Sequence, residues 1–323
     1  MPIDISKFDK CKILVVGDFM IDEYVWGDVE RISPEAPVQI VSVNKEDYRP
    51  GGAGNVVNNL ISLGAKVFAV GTIGTGKNGK LLLEKLNELA VDTKGVIRDS
   101  DRPTTRKTRI IAANQHVLRI DRETQKEISS RTLQTIIKVI KDQILSIDVI
   151  LISDYGKGLV TATLLSKLTE TAKKHQKITI ADPKGLDFSK YSGVSLLTPN
   201  KKEAGLAAGI DIEDELKLLE AGKKITKKTE IERLLITCGK DGMVLFDQNK
   251  KPYKIKAEAK QVFDVSGAGD TVLAVIGLGM ASGASYKDSA ELANIAAGIV
   301  VGKVGTATVS REELYKVLKP KTK

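Results

Sequence analysis

Cysteine, aromatic residues and long apolar runs are all scarce in this 323-residue chain. The two cysteines, Cys11 and Cys238, each sit beside or within an apolar run, so they read as small buried core residues in a reducing compartment. Aromatic residues make up only 4%, and the excess of 50 Lys and Arg over 41 Asp and Glu is spread along polar faces, with part in the tail KVLKPKTK. A nucleic-acid binder calls for a clustered basic stripe with aromatics interleaved, which this is not. The net +9 reads instead as solvated surface with some attraction for a small anionic substrate. The longest apolar run, VLAVIGLGMA, is about half of what a membrane span needs. The first residues, MPIDISKFDKCK, lack the basic segment and apolar stretch of a signal peptide. Repeats, low-complexity tracts and obvious linkers are missing as well. These absences predict a cytoplasmic protein that binds neither nucleic acid nor membrane.

What is present is an α/β rhythm. KILVVGD, KVFAVGTIG, DVILISD, KITIADP, VSLLTPN and LLITCG are short, nearly continuous apolar runs rich in β-branched residues. Strands of that kind form a parallel sheet covered on both faces. Between them lie the helical patterns NVVNNLISL, GKLLLEKLNELA, SSRTLQTIIKVIKDQIL and TATLLSKLTETAKKH. The alternation predicts a doubly wound, mostly parallel sheet with helices on both faces. Residues 24 to 50 and 103 to 121 break the rhythm with period-two alternation, which predicts a small antiparallel sheet serving as a lid or an interface. Near the end, GAGDTVLAVIGLGMASG is apolar almost all round and reads as a buried helix, followed by a small-residue helix in ELANIAAGIVVGKVG.

Two glycine-rich loops compete as phosphate cradles. Gly74 to Gly79 matches GxGxxG, and Gly74 to Lys80 matches GxxxxGK, but Leu81 stands where a P-loop needs a hydroxyl for magnesium. Asp99, about twenty residues on, is the ribose acceptor that an NAD-binding reading requires. A plain tight turn explains the glycines without a ligand. The second loop, DVSGAGDT (264 to 271), joins a strand-like segment to the buried helix. The first amides of a helix lack internal partners and carry the positive end of its dipole. Small residues Gly267, Ala268 and Gly269 let an anion approach them closely. Asp270, in the first turn, either complements the dipole or acts as a general base toward an attacking hydroxyl.

DVSGAGDT resembles the C-terminal signature of the ribokinase-like carbohydrate kinases, and RPGGAGN (49 to 55) resembles their N-terminal signature. GDFMIDEYVWG, RISPEAPV, NQHVLRID, SDYGKG, DPKG and TPNKKE extend the resemblance over nearly the whole chain. It is strongest to the kinase domain of bifunctional enzymes that make ADP-heptose for lipopolysaccharide. The resemblance implies a single kinase domain over 1 to 323, with a small β lid at about 19 to 50 and 103 to 121. It implies ATP- and Mg2+-dependent phosphorylation of D-glycero-β-D-manno-heptose 7-phosphate at O1; a kinase for another sugar or sugar phosphate is the alternative. It also implies a homodimer through the lid.

By the same resemblance, Asp270 is the catalytic base and Gly267, Ala268 and Gly269 form its anion hole. Asn200, Lys201, Lys202 and Glu203 lie near the nucleotide phosphates, with Glu203 by the metal; Thr237, Gly239, Gly242 and Asn294 lie on the nucleotide side. Gly51, Gly52 and Asn55 fall to the sugar. Asp18 and Asp22 can hydrogen-bond sugar hydroxyls, since a carboxylate accepts two donors. Lys107 and Arg109 are two apart on a predicted strand, share a face, and can converge on one phosphate. Two departures stand out. Gly76 replaces a usual Asp, which creates the accidental GxGxxG. His116 and His175 form no His-x-Gly-His motif, so the nucleotidyltransferase step is expected on another chain. An NAD-dependent oxidoreductase and a non-catalytic sugar-phosphate sensor are the readings from other functional classes.

Overall fold

The computed structural model of the protein describes residues 3–113, 115–248, 250–258, 262–303 and 305–318. Asn114 of NQHVLRID, Val304 of the last glycine-rich stretch, and 319–323 of the basic tail lie outside the described residues.

The apolar runs form one large sheet. Its strands are β1 (Lys12–Gly17), β4 (Lys66–Gly74), β5 (Asp92–Asp99), β8 (Val149–Ser153), β9 (Ile178–Asp182), β10 (Leu196–Leu197), β11 (Arg233–Thr237), β12 (Met243–Asp247) and β13 (Tyr253–Ile255). The order across the sheet is β13-β12-β11-β10-β9-β8-β1-β4-β5. From β11 to β5 every pairing is parallel; β12 and β13 join the edge antiparallel. VSLLTPN yields only a two-residue strand, since Pro199 has no N–H to continue the ladder and its carbonyl instead accepts from Thr237.

Alternation along the strands sorts the core into two layers. Ile13 and Val15 of β1 face one cluster, and Leu14 and Val16 the other. On the first side pack α1 (Ala53–Ser62), α2 (Lys77–Glu88), α7 (Ala268–Ala281), α8 (Tyr286–Val300) and α9 (Arg311–Leu318). On the second pack α3 (Ser130–Gln143), α4 (Ala162–Lys174), α5 (Lys201–Ala208) and α6 (Glu215–Thr229). The doubly wound α/β architecture is as the sequence predicts. α7 is buried along nearly its whole length, matching its all-round apolar character. The next helix starts earlier than its small residues suggest, at Tyr286, because Ser285 caps it by accepting from the Asp288 N–H. Leu151 is fully buried in β8 beneath α7, so Leu151→Ala should cost ~2–5 kcal/mol of stability, read as a lower urea midpoint.

The two period-two stretches form a separate sheet of β2 (Phe19–Ile32), β3 (Gln39–Gly52), β6 (Thr105–Ala112) and β7 (Gln115–Arg122), in the order β3-β2-β6-β7. It is mixed rather than antiparallel: β2 and β6 run parallel, because the chain traverses α1, β4, α2 and β5 between them. Its β7 edge is exposed throughout.

Candidate active site

Strand order reverses around β1: the chain moves from β1 to β4 and β5 on one side, then returns to β8 on the other. Ligand sites in such sheets lie beyond the carboxyl ends of the strands at this switch. Asp18 follows β1, Asp154 follows β8, and Asp182 ends β9. Three carboxylates therefore gather at one end of the sheet, and the start of α7 closes over them.

Gly267 caps α7 with φ +79, a conformation that L side chains rarely adopt, and a Cβ there would meet the Asn55 side chain. Among the described residues, the amides of Gly267, Gly269 and Asp270 have no backbone partner, whereas the Ala268 N–H donates to the Val265 carbonyl at 3.2 Å. Of the three residues expected to line an anion hole, Ala268 thus has its amide in a turn bond, and the open amides belong to its neighbours. Gly269 is exposed to the cleft while Asp270 is buried directly behind it.

Asp270 is held at both oxygens. The Asn55 Nδ2 donates to Oδ2 at 2.7 Å and the Tyr155 hydroxyl donates to Oδ1 at 2.9 Å. Burial pushes its carboxyl up to about 6; the two donors restrain that rise and the charge of Asp22 adds to it. Asn55 is the third residue of α1, not its cap, and points across to α7. Asn59, one turn on, accepts from the Thr271 hydroxyl at 3.0 Å and locks the two helices together. Tyr155 and Asn59 were not among the predicted site residues. SDYGKG carried the signal for Tyr155, but only the fold aims its hydroxyl at Asp270.

The nucleotide-side residues border one groove of about 470 Å³ lined by Thr237, Gly239, Gly242, Gly269 and Asn294. Its walls are largely apolar, with Val262, Val265 and Val301 at one side. Asn294 is buried, and its amide donates to the Lys256 carbonyl at 2.8 Å, so it braces the wall. Asn200 and Glu203 form a reciprocal capping box at the start of α5, and Glu203 also pairs with Lys184 at 2.8 Å. Glu203 thus has a structural part at the helix start as well as its expected place by the metal. Lys201 and Lys202 line a different groove, on the outer side of α5 with Leu206 and Ile210. The groove beside Asn294 does not include them.

Asp182 keeps an edge open to the cleft, with its Oδ2 close to Gly269. Its carboxyl is held well above the usual range by burial, then by Glu203 and Asp270. A set of like charges facing one floor is the donor chemistry that a divalent cation relieves. Among the described residues, no three His, Cys, Asp or Glu side chains converge at metal-ligand spacing. Magnesium fits nonetheless, because it is bound by one or two carboxylates together with phosphate oxygens and water.

On the sugar side, Asp18 Oδ2 accepts from the N–H groups of Tyr155 at 2.9 Å and Lys157 at 3.1 Å, so one of its oxygens fixes the SDYGKG loop. Burial, then the neighbouring Asp154, raises its carboxyl. Asp22 Oδ1 accepts from Arg109 at 2.5 Å. Gly51 lies against the Asp22 carboxylate, where any Cβ would collide with it, and Gly52 caps α1. Lys107 and Arg109 share the face of β6 as predicted, yet Arg109 is engaged by Asp22 and stacked over Tyr24.

The rival loop is a turn braced by its own contacts, and it rims a groove of about 460 Å³ together with Ser100 to Thr104. The Gly74 N–H donates to the Thr104 hydroxyl at 2.9 Å, and Gly79 packs against the Gly74 carbonyl. Asp99 accepts from the Asp101 N–H and from Thr132, so it is committed to local structure. Both cysteines are buried, and burial pushes each thiol up to about 11. No helix among the described residues is long and apolar enough to cross a membrane.

Comparison with known proteins agrees with this arrangement. Residues 10–313 match the family model described as pfkB family carbohydrate kinase. The chain is 55% identical over 311 residues to the bifunctional protein HldE of Desulfatibacillum aliphaticivorans, covering 96% of this chain and 64% of that protein. It is 48% identical to the protein of the same name from Geobacter metallireducens, covering 93% and 61%. The chain thus spans a little under two thirds of the length of these relatives. Ribokinase of Arabidopsis thaliana, solved with ribose and ATP, superposes with a TM-score of 0.75 at 22% identity, covering 96% of this chain and 99% of that one. Phosphofructokinase-2 of Escherichia coli, solved with potassium, gives 0.78 at 18%, covering 95% and 97%. With the signature loop, the buried acid behind it and a family match over nearly its full length, the chain belongs to the pfkB family of carbohydrate kinases.

Proposed function

We propose that the protein phosphorylates D-glycero-β-D-manno-heptose 7-phosphate at O1, using ATP, to give the 1,7-bisphosphate. The observation that carries the reaction class is Asp270: a buried carboxylate immediately behind open helix amides, oriented by two hydrogen bonds. The sugar hydroxyl hands its proton to Asp270 as its oxygen attacks the γ-phosphorus, the bond from that phosphorus to the β–γ bridging oxygen breaks, and ADP leaves. The amides around Gly267 and Gly269 hold the charge that grows on the transferring phosphoryl. Asp182 and Glu203 would hold a magnesium ion, which would supply neutralisation of phosphate charge. The apolar groove beside Asn294 takes the nucleoside. The heptose substrate is supported by the similarity to the HldE proteins.

The same reading makes 1–323 one kinase domain acting in the cytoplasm, with the smaller sheet as a lid over the sugar. A homodimer through that sheet is supported by its exposed β7 edge and by Val43 and Leu118, each 53% exposed. The test of function is ADP release with ATP and a panel of sugars and sugar phosphates. Turnover of the heptose 7-phosphate at least tenfold above every other acceptor is expected; preference for an unphosphorylated hexose would sink the assignment.

The base also sets a pH dependence. Asp270 accepts a proton only when ionised, and its carboxyl titrates at about 6. Log(kcat/KM) should therefore rise with unit slope up to about pH 6 and level off above it. Removing one donor destabilises the ionised form, so Tyr155→Phe should move that limb to higher pH. A limb that stays put, or moves down, would detach Tyr155 from the base.

A further inference from the structure

Lys184 stands among the acids at the carboxyl end of the sheet, and the proposed reaction gives it no part. It is the third residue of DPKG, two positions after Asp182 at the end of β9. The carboxylates it faces are Glu203, Asp182 and Asp154. Asp154 is already occupied: it is buried, and its Oδ2 accepts from the Lys190 ammonium and the Tyr191 hydroxyl, each at 2.6 Å. Lys184 therefore serves Glu203 and Asp182. Its ammonium donates to Glu203 Oε1 at 2.8 Å. Burial, Glu203 and Asp270 raise the Asp182 carboxyl, and the charge of Lys184 pulls it back.

The backbone and the side chain of Lys184 are held very differently. The backbone N–H donates at 2.8 Å to the hydroxyl of Tyr191, whose side chain is fully buried, so the root is fixed. The stem runs past Gly156, where a Cβ would lie 3.6 Å from the Lys184 Cγ. Gly156 directly follows Tyr155, the donor to Asp270. The Lys184 side chain itself is 51% exposed. A half-exposed ion pair contributes little, so this one opens readily, and a flexible four-carbon stem can carry the charge to a new partner.

Both oxygens of Glu203 are in use. Oε2 accepts from the Asn200 N–H at 3.2 Å in the capping box, and Oε1 is the oxygen that Lys184 holds. Of these two donors, Asn200 is fixed by the start of α5, whereas the ammonium is mobile. Lys184 is therefore the donor that yields to a divalent cation on Glu203. Once released, it remains beside Asp182, whose Oδ2 lies 3.8 Å from the position of a Cβ on Gly269.

We propose that Lys184 is a ligand for the terminal phosphate of the nucleotide, parked on Glu203 until a divalent cation claims that carboxylate. This rests on the reading that the amides around Gly267 and Gly269 hold the transferring phosphoryl. In the resting protein Lys184 offsets the like charges of Asp182 and Glu203. With nucleotide bound, it donates to a γ-phosphate oxygen from the β9 side while the α7 amides donate from theirs.

The test is calorimetric binding of ADP and of the β,γ-imido analogue of ATP, each with magnesium, to the full chain. Lys184→Met should weaken the analogue about 10- to 100-fold and ADP by less than about threefold, because ADP lacks the phosphate that Lys184 holds. Lys184→Arg should recover most of the loss. Mn2+ titrated into the nucleotide-free protein should bind Lys184→Met more tightly than wild type, since a competitor for Glu203 has gone. A loss shared equally by both nucleotides, no loss with either, or an Mn2+ affinity that stays level or falls would overturn the assignment. Should Lys184→Met fail to fold in a thermal melt, Lys184→Ala carries the same comparison. If wild-type protein binds both nucleotides but phosphorylates no sugar, the proposed activity falls, and Lys184 is still judged by the split between analogue and ADP. Wild-type protein that binds neither nucleotide overturns both.

Discussion

Asp270→Asn should lower kcat by ~10² to 10⁴-fold while leaving the dissociation constant for ATP within a few-fold of wild type. The replacement is isosteric, so Asn55 and Tyr155 keep a partner, and what disappears is the ability to accept a proton. In the proposed mechanism ATP binds at the amides and the apolar groove, neither of which the substitution alters. The same change should not weaken the fold. The Asp270 carboxyl is shifted from 3.8 to about 6, so ionising it in the native state is penalised. That cost is absent below the unfolded value and complete above about 6, amounting at neutral pH to at most ~3 kcal/mol. A melting temperature at pH 7 equal to or above that of wild type, with turnover nearly abolished, is the expected pair of results. Turnover within threefold of wild type would remove Asp270 from the chemistry; a collapsed melting temperature would make any loss of rate uninterpretable as base removal.

Gly267→Val is the second large effect. It places a β-branched side chain at φ +79 and drives a Cβ into the Asn55 amide. Asn55 in turn holds Asp270, so the helix start and the base are displaced together. Removing a donor aimed at developing charge costs ~10² to 10³ in kcat in other enzymes, and a loss of that size is expected here. Gly267→Ala carries the same backbone strain with less bulk and should fall between Val and wild type. Circular dichroism and a thermal melt establish whether the sheet survives. A folded Gly267→Val protein with wild-type kcat would mean that the start of α7 does not touch the migrating phosphoryl.

Much of this was legible in the sequence, for a local reason. Apolar runs such as KILVVGD and DVILISD can only be strands buried on both faces, and α7 is too apolar to lie anywhere but between layers. DVSGAGDT could be read as a candidate anion site because helix-terminal amides and an adjacent acid are neighbours in sequence as well as in space. The smaller sheet was readable as strands but not in its mixed pairing, since parallel register depends on where the intervening β4 and β5 go. Ala268 was expected to offer a free amide; a turn bond to Val265, set by loop geometry, uses it.

The residues that only the tertiary structure decided are those whose meaning comes from a distant partner. Asn55 and Asp270 are 215 positions apart, and Tyr155 is 115 from the acid it steadies. Lys107 and Arg109 are indistinguishable as cations on one strand; β2 alone determines that Asp22 takes Arg109 and leaves Lys107 unpaired. Sequence by itself determined the layered α/β fold and the placing of Asp270 in the first turn of a buried helix behind Gly267 and Gly269, because each is fixed by interactions within one or two turns or strands. Folding decided the acid's orientation, its proton affinity near 6 and which charges remain uncompensated. Those properties arise from burial and from pair distances, which no stretch of chain carries alone.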